Sequence, residues 1–404
     1  MAAVKPGSRR GRWWAPYRQV WSVPGAAAFS SVGAVARLPQ AMVGLGAVVM
    51  ITALGSSYTV AGAVAGAVSL SQGLLAPQVS RLADRLGQTR VLGPQAVVNV
   101  AALCVLVAAA HRHVGALALV PLGVLVGVSL PQIGAFARAR WTALLAGDRR
   151  LATALAVESL IEEAVFVIGP VLVVAATTAI APAAGLLIAA ALVAFGCAAF
   201  LAQRATEPAV LPYGRPEHRS RATAHAGLRV LIGVFLGIGA LFGFVEVGVV
   251  ALTRELDRPG VSGAMLALWA AGSLAAGVVY GSRTWQTPPV RRFGTGVAAM
   301  AAGTVLVAAC SGSLTGTTVA LAIAGAANAP TLITGNALVA AVVPAHAVTE
   351  AYTWLGVTIF AGIAMGAPLG GALIDRFGSH AALWAATAAG IVAVITAVTG
   401  RRHL

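Results

Sequence analysis

Four ionisable side chains stand inside long apolar runs, and their types and spacing are suited to moving protons or holding a polar solute. Arg37 lies in Ala34-Val-Ala-Arg-Leu-Pro-Gln40, Glu158 and Glu162 are one helical turn apart, and Glu246 sits in Phe242-Gly-Phe-Val-Glu-Val247. A charged group at the centre of a bilayer costs roughly 3 kcal/mol on insertion scales, so such residues face a protein interior or a water-filled cavity rather than lipid. Ser30 and Arg37 are seven apart and Gln40 follows three later, which places them near one helical face that could line a cavity. A structural reading stands beside this one: Arg37 could pair with an acid simply to join two helices. Glu158 and Glu162 share a face, and two neighbouring carboxyls in a medium of low dielectric are suited to taking up and releasing a proton. Glu158 could instead lie near a membrane surface, paired to Arg149 or Arg150. Glu163 is about 100° further round the helix. Glu246 has apolar neighbours on every side, so a protonation coupled to a change of conformation suits it.

Neutral polar groups extend the set. Asn328 and Asn336 are two turns apart, with Thr331 between them, and could bind a solute or hold helices together. Pro330 is expected to bend that helix by removing an internal hydrogen bond. Tyr352 and Trp354 could stack on a flat solute or belong to an interfacial aromatic belt.

The elements that must position these residues are membrane helices. Of 404 residues, 59% are hydrophobic and 10% charged, against about 25% charged in soluble domains. Apolar runs are expected to span at about 24–51, 56–79, 91–111, 114–140, 151–176 and 180–202, and again at about 228–252, 260–281, 291–311, 315–340, 349–373 and 380–400. Between the two sets, residues 203–227 carry prolines, charges and histidines without apolar periodicity and read as a linker. The layout is therefore a basic tail (1–20), a six-helix bundle (21–202), the linker (203–227), a second six-helix bundle (228–400) and a short tail (401–404). Trp13, Trp14 and Tyr17 read as an interfacial anchor after the basic tail.

The net charge of +15 would suggest nucleic acid in a soluble protein, but the cations lie between apolar runs, so no nucleic-acid partner is expected. Basic residues crowd alternate connections: the tail, Ser80 to Arg90, Arg138 to Arg150, the linker, Arg283 to Arg292, and Arg401 with Arg402. The opposite connections hold only Arg112, Arg254, Arg258 and Arg376. An excess of arginine marks the cytoplasmic side, so both termini are expected inside. Lys5 as the single lysine, with abundant Ala, Gly and Val, points to a GC-rich bacterial genome and hence to a multi-pass protein of a bacterial cytoplasmic membrane. Cys104, Cys197 and Cys310 fall within spans and read as packing residues. The histidines have no metal spacing, Gly312-Ser-Leu-Thr-Gly316 lies between spans rather than after a strand, and no phosphate-binding glycine loop is present. No enzyme, metal or cofactor is expected.

Ser80-Arg-Leu-Ala-Asp-Arg-Leu-Gly-Gln-Thr-Arg90 lies between the second and third runs and reads as a polar loop turned by Gly87. It resembles the loop between the second and third helices of the major facilitator superfamily, roughly Gly-x-Leu-Ala-Asp-Arg-x-Gly-Arg-Arg. Leu82, Ala83, Asp84, Arg85 and Gly87 match; Ser80 stands in place of glycine, and Gln88 and Thr89 replace the basic pair, with Arg90 one place later. The resemblance implies an all-α membrane protein of twelve transmembrane helices in two six-helix bundles, working by alternating access. It implies a gate in which Asp84, with Arg85 and Arg90, meets a cationic partner and the N-terminal end of the eleventh helix; Arg138 or Arg140 is the expected partner. In the family the first and seventh spans face each other, which makes Arg37 and Glu246 a candidate pair. Gly169-Pro170 is similar to an antiporter signature of the fifth helix, but Val165, Val173 and Val174 stand where glycines belong.

Echoes between the halves, Phe166-Val-Ile-Gly-Pro170 and Ala364-Met-Gly-Ala-Pro-Leu-Gly-Gly371, fit parallel repeats of six spans. The reading that follows is an efflux-type antiporter, exporting a small organic solute against proton entry from within the lipid bilayer, as a monomer. Two alternatives are proton-coupled uptake of an anionic metabolite steered by Arg37, and a non-transporting sensor or scaffold with a transporter-like frame.

Overall fold

The structure, a computed structural model, describes residues 19–209, 223, 225–283, 285–344 and 348–404. The basic tail with its aromatic anchor, and most of the linker, lie outside the described residues. Among those described, twelve helices are long and apolar enough to cross a membrane. This follows from lipid offering the backbone no hydrogen-bond partner, so each apolar run must satisfy its own N–H and C=O groups. In chain order they are α1 (Ala26–Ala53), α2 (Tyr58–Leu86), α3 (Gln88–His111), α4 in two pieces (Ala116–Ser129 and Ile133–Leu144), α5 (Arg150–Ala179) and α6 (Ala184–Leu201). The second half holds α7 (Ala226–Glu255), α8 (Ser262–Gly281), α9 (Pro289–Ala309), α10 in two pieces (Leu314–Gly325 and Asn328–Val342), α11 (Val348–Phe377) and α12 (Ser379–Gly400).

The expected polar loop after the second span is not a loop. α2 continues through Leu86 and α3 begins at Gln88, so the chain turns on Gly87 alone. Its φ of 91° is open to glycine at no steric cost, and its N–H donates to the Ala83 carbonyl at 2.8 Å.

Two spans are broken at matching places in the two halves. In α4, Leu130 is extended (ψ 118°) because Pro131 disfavours helical backbone in the residue before it. Gln95 donates to the Leu130 carbonyl at 3.3 Å, and Asn99, one turn along α3, donates to Val126 O at 2.9 Å. In α10 the break falls after Gly325, earlier than the expected bend at Pro330. Pro330 instead occupies the first turn of the second piece, where a missing N–H removes no helical bond. The Ala329 N–H there donates to Ser273 Oγ of α8 at 3.1 Å.

The halves meet along two seams, α2 against α11 and α5 against α8, which the six-helix repeat relates to each other. A Cβ added at Gly66 would lie 2.8 Å from the Ala364 carbonyl oxygen, and one at Gly263 would lie 2.5 Å from that of Pro170. Gly62 and Gly371 are pressed as closely against the Ala367 and Tyr58 carbonyls. The Gly-Pro echoes of α5 and α11 therefore sit at the equivalent seams.

At the end of the molecule away from the linker, hydrogen bonds tie the halves. Asp375, at the end of α11, caps the start of α2: it accepts from the Tyr58 N–H at 2.9 Å, the Thr59 N–H at 2.8 Å and Thr59 Oγ1 at 2.6 Å. Arg254 of α7 donates to the Thr52 carbonyl of α1. Within the second half, Glu255 accepts from the Ser379 N–H at 2.7 Å and from its hydroxyl, bracing α7 against α12.

Candidate functional site

Arg37, Glu158, Glu162 and Arg138 converge on one network. Glu158 is fully buried, and its Oε1 accepts from Ser30 Oγ and from Trp141 Nε1, each at 2.8 Å. Its Oε2 accepts from Arg37 Nη2, a buried ion pair. Arg37 is 1% exposed, with Nε and Nη1 lacking hydrogen-bond partners. Its Nη1 lies 3.9 Å from Glu162 Oε2. Glu162 in turn accepts from Gln40 Nε2 at 3.0 Å and from Arg138 Nη2 at 3.4 Å. Side-chain exposure rises along this chain of groups, from none at Glu158 to 25% at Glu162 and 40% at Arg138. One end is sealed and the other is accessible.

Packing explains why three helices can approach so closely here. Gly169 lets α5 lie against Ala41 of α1, a Cβ there falling 2.7 Å from the Ala41 methyl. That contact brings Glu158 and Glu162 to the face carrying Ser30, Arg37 and Gln40. Gly134, at the start of the second piece of α4, leaves the space the charges occupy: a Cβ would lie 3.0 Å from Glu162 Oε2, 3.5 Å from Arg138 and 3.6 Å from Arg37 Nε. Trp141, seven residues on, is held edge-on to Phe29 with ring centroids 5.0 Å apart. Gly134 and Trp141 escaped the sequence reading, although 134, 138 and 141 share a helical face with the noticed Arg138.

Glu246 stands apart. It is partly exposed and makes no hydrogen bond or ion pair among the described residues. A methyl group at Gly44 of α1 would lie 4.0 Å from its Oε1. Gly44 is two turns beyond Arg37, or roughly 10 Å along the helix. Phe242, one turn before Glu246, meets Trp269 of α8 edge-on at 5.3 Å. The expected Arg37–Glu246 pair is therefore not formed: α5 lies nearer to Arg37 than α7 does, and Glu158 takes the guanidinium. The solvated pairing of Glu158 with Arg149 or Arg150 is also absent, since Arg150 bonds Asp148 at 2.7 Å.

The gate residues divide. Asp84, Arg85 and Arg90 are exposed at the linker end, and Asp84 bonds to no described residue. Neither expected partner reaches it. Arg138 is engaged by Glu162, and Arg140 is buried, donating to Gln88 at 3.0 Å, to the Gln203 carbonyl at 3.0 Å and to Thr206 at 2.8 Å. Its guanidinium also lies over the Phe200 ring at 3.9 Å. Arg140 thus anchors the first linker residues to the first bundle. Glu207 completes the anchor, accepting from the Thr89 N–H at 2.8 Å and its hydroxyl at 2.6 Å. Burial alone would raise the Glu207 carboxyl, but the bonds from Thr89 and the charge of Arg140 hold it below its ordinary range.

A second copy of the gate motif went unnoticed in the sequence. Asp375-Arg-Phe-Gly378 ends α11 as Asp84-Arg-Leu-Gly87 ends α2, each closed by a glycine with positive φ. Asp375 holds the start of α2, whereas Asp84 is free of described partners at the opposite end. The asparagines do not form a pair: Asn328 is buried, while Asn336 is exposed and donates to its own helix at Leu332 O, 3.0 Å away. Tyr352 and Trp354 are exposed near the start of α11, as belt residues are.

No protein-family model and no curated protein sequence matches the chain. Solved structures do resemble it. A mutant of the nucleoside transporter NupG superposes with a TM-score of 0.75 at 12% identity, covering 93% of this chain and 99% of its own. A bacterial homologue of the iron transporter ferroportin, in an inward-facing state, gives 0.70 at 14%, covering 92% and 98%. A POT family transporter in complex with 5-aminolevulinic acid gives 0.71 at 14%, covering 93% and 95%. At such identities the likeness speaks for architecture, and the architecture is that of the major facilitator fold: twelve membrane helices in two bundles of six.

Proposed function

We propose that the chain is a secondary active transporter that exports a small organic solute against proton entry. The observation that carries this reading is the graded network Glu158–Arg37–Glu162–Arg138, whose accessible acid is coupled to a dry ion pair inside the hydrocarbon layer. Protonating Glu162 would remove the negative charge between two arginines, Arg37 and Arg138, and loosen α1, α4 and α5 from one another. Glu246, without a partner among the described residues and one turn from Phe242, is suited to meet a solute that carries a positive or hydrogen-bonding group. The neighbours in fold are transporters by name, which supports the same class of activity here.

The basic residues gather at the linker end, which supports placing that end in the cytoplasm. With the far end tied by Asp375 and Arg254, the state described would then be closed to the outside. Burial of Arg37 under Glu158 argues against Arg37 gripping an anionic metabolite directly, so uptake of an anion loses its support.

The test is flux. The full chain, reconstituted in vesicles with a pH-sensitive dye inside, is challenged with a panel of solutes under an imposed pH gradient. A transported solute is expected to move protons, and Glu162→Gln and Glu246→Gln are each expected to slow that movement at least about tenfold with insertion unchanged. Unchanged proton-dependent transport in both variants would remove the coupling assignment. No solute-dependent flux with any member of the panel would favour a scaffold or sensor.

A further inference from the structure

A second site lies in the other half, at the linker end between α9 and α12. A pocket of about 460 Å³ opens there, lined by Trp285, Val290, Arg291, Arg292, Val398 and Arg401 among others. No acidic residue lines it, and no Asp or Glu occurs anywhere between Asp257 and Glu350. Arg291, Arg292 and Arg401 enter no ion pair among the described residues.

The helix beneath the pocket adds to this. α9 starts at Pro289, with no side-chain cap and no acid in its first turn, yet Arg291 and Arg292 sit in that turn. Cations are disfavoured there by the positive end of the helix dipole, and of the first-turn amides only Arg292 N–H has a backbone acceptor among the described residues, Pro288 O at 3.2 Å, which leaves Val290 and Arg291 N–H to receive an anion. Arg292 is held in place: its Nη1 donates to Tyr280 Oη at 2.6 Å, and its guanidinium lies 5.8 Å from the Trp285 ring, which stacks on Tyr280 at 4.7 Å. Its Nε is buried without a partner. Arg291 and Arg401 are exposed.

The walls are apolar. Val290, Phe293, Ala397 and Val398 continue from the charged mouth, and Val398 is 52% exposed on the outer face of α12. A cationic mouth above an apolar groove, at the depth where a tryptophan marks the membrane interface, has the two-part chemistry of a phospholipid: phosphate above, acyl chain below. We propose that this pocket binds the headgroup of an anionic phospholipid, with the phosphate between Arg291, Arg401 and the start of α9, and an acyl chain along the α9–α12 groove.

The experiment is native mass spectrometry of the full chain in detergent, titrated with phosphatidylglycerol or phosphatidylcholine. Phosphatidylglycerol is expected to bind at least fivefold tighter. Each arginine near a membrane surface is worth roughly fivefold, so Arg291→Gln/Arg401→Gln should weaken phosphatidylglycerol binding roughly 25-fold and leave phosphatidylcholine unaffected. The lysine pair Arg291→Lys/Arg401→Lys should keep most of the affinity, which separates lost charge from lost folding. Exposed Arg204, on the first half at the same end, is the control. Equal affinity in the glutamine pair, or an equal loss in Arg204→Gln, would overturn the site. Displacement of bound phosphatidylglycerol by inorganic phosphate at matched concentration would overturn the lipid in favour of a free anion.

Discussion

Glu158 collects three donors, from Ser30, Arg37 and Trp141, and none of them is accessible. Removing its charge would leave the Arg37 guanidinium buried with no counter-ion, a defect that costs about 3–5 kcal/mol when one partner of a buried pair is lost. Glu158→Gln is therefore expected to lower the melting temperature of the purified protein by several degrees, and Arg37→Gln in addition should recover part of the loss. A melting temperature unchanged in the single variant would show that the pair contributes nothing to folding. Glu162→Gln, at the accessible end, should cost under about 1 kcal/mol. That a charge occupied the interior was legible, because the hydrocarbon layer makes an arginine or glutamate conspicuous in an apolar run. Which acid Arg37 meets was not: pairing is set by how close α5 and α7 come to α1, and Gly169 and Gly134 decide that through their missing side chains.

At the scale of elements, the linker's first residues belong to the first bundle. Arg140 holds Gln203 and Thr206, while Glu207 receives the start of α3. A carboxyl held below its unfolded range stabilises the fold above the unfolded value, and that contribution is lost as pH falls through the folded one. Wild type should therefore be more stable than Glu207→Gln at pH 7, by less than about 1 kcal/mol for this half-exposed group. The difference should fade as pH drops below the ordinary glutamate value of 4.5. Parallel melts from pH 7 to pH 3 measure this, and a gap that persists at pH 3 would assign the effect to packing. Helix length was legible from apolar runs, but their ends were not. Ser80 to Leu86 looked like a loop because it is polar, yet a helix can emerge from the membrane without breaking; only Gly87 needs to leave helical backbone. The α4 break had a signal in Pro131, and the α10 break falls before Pro330 because proline is compatible with a first turn.

For the whole molecule, twelve spans could be read from the length and hydropathy of the apolar runs, since bilayer thickness dictates both. The closed end could not be read, because it depends on contacts between residues some 300 apart, such as Tyr58 and Asp375. The α2–α11 seam offers a direct handle on the opening that the proposed transport requires. A side chain at Gly62 would run into the Ala367 carbonyl, so Gly62→Val should disfavour the closed seam by about 1–3 kcal/mol. That is enough to repopulate two states of similar energy. Spin labels at Ser56 and Phe377 in a cysteine-free background should report a longer distance in the variant; an unchanged distance distribution would mean that the seam does not control opening.

The Asp375 cap has a consequence for the speed of the proposed transport cycle. Its three donors are two backbone amides and a hydroxyl at the rim of the bundle, all of which water can solvate once α2 and α11 part. Because the acceptor is a carboxylate, exchanging such bonds for bonds to water leaves a net difference of roughly 1.5–3 kcal/mol each. A clasp of this kind selects one posture firmly while it is shut, and in the proposed transport cycle its release is a cost that solute or proton would have to offset.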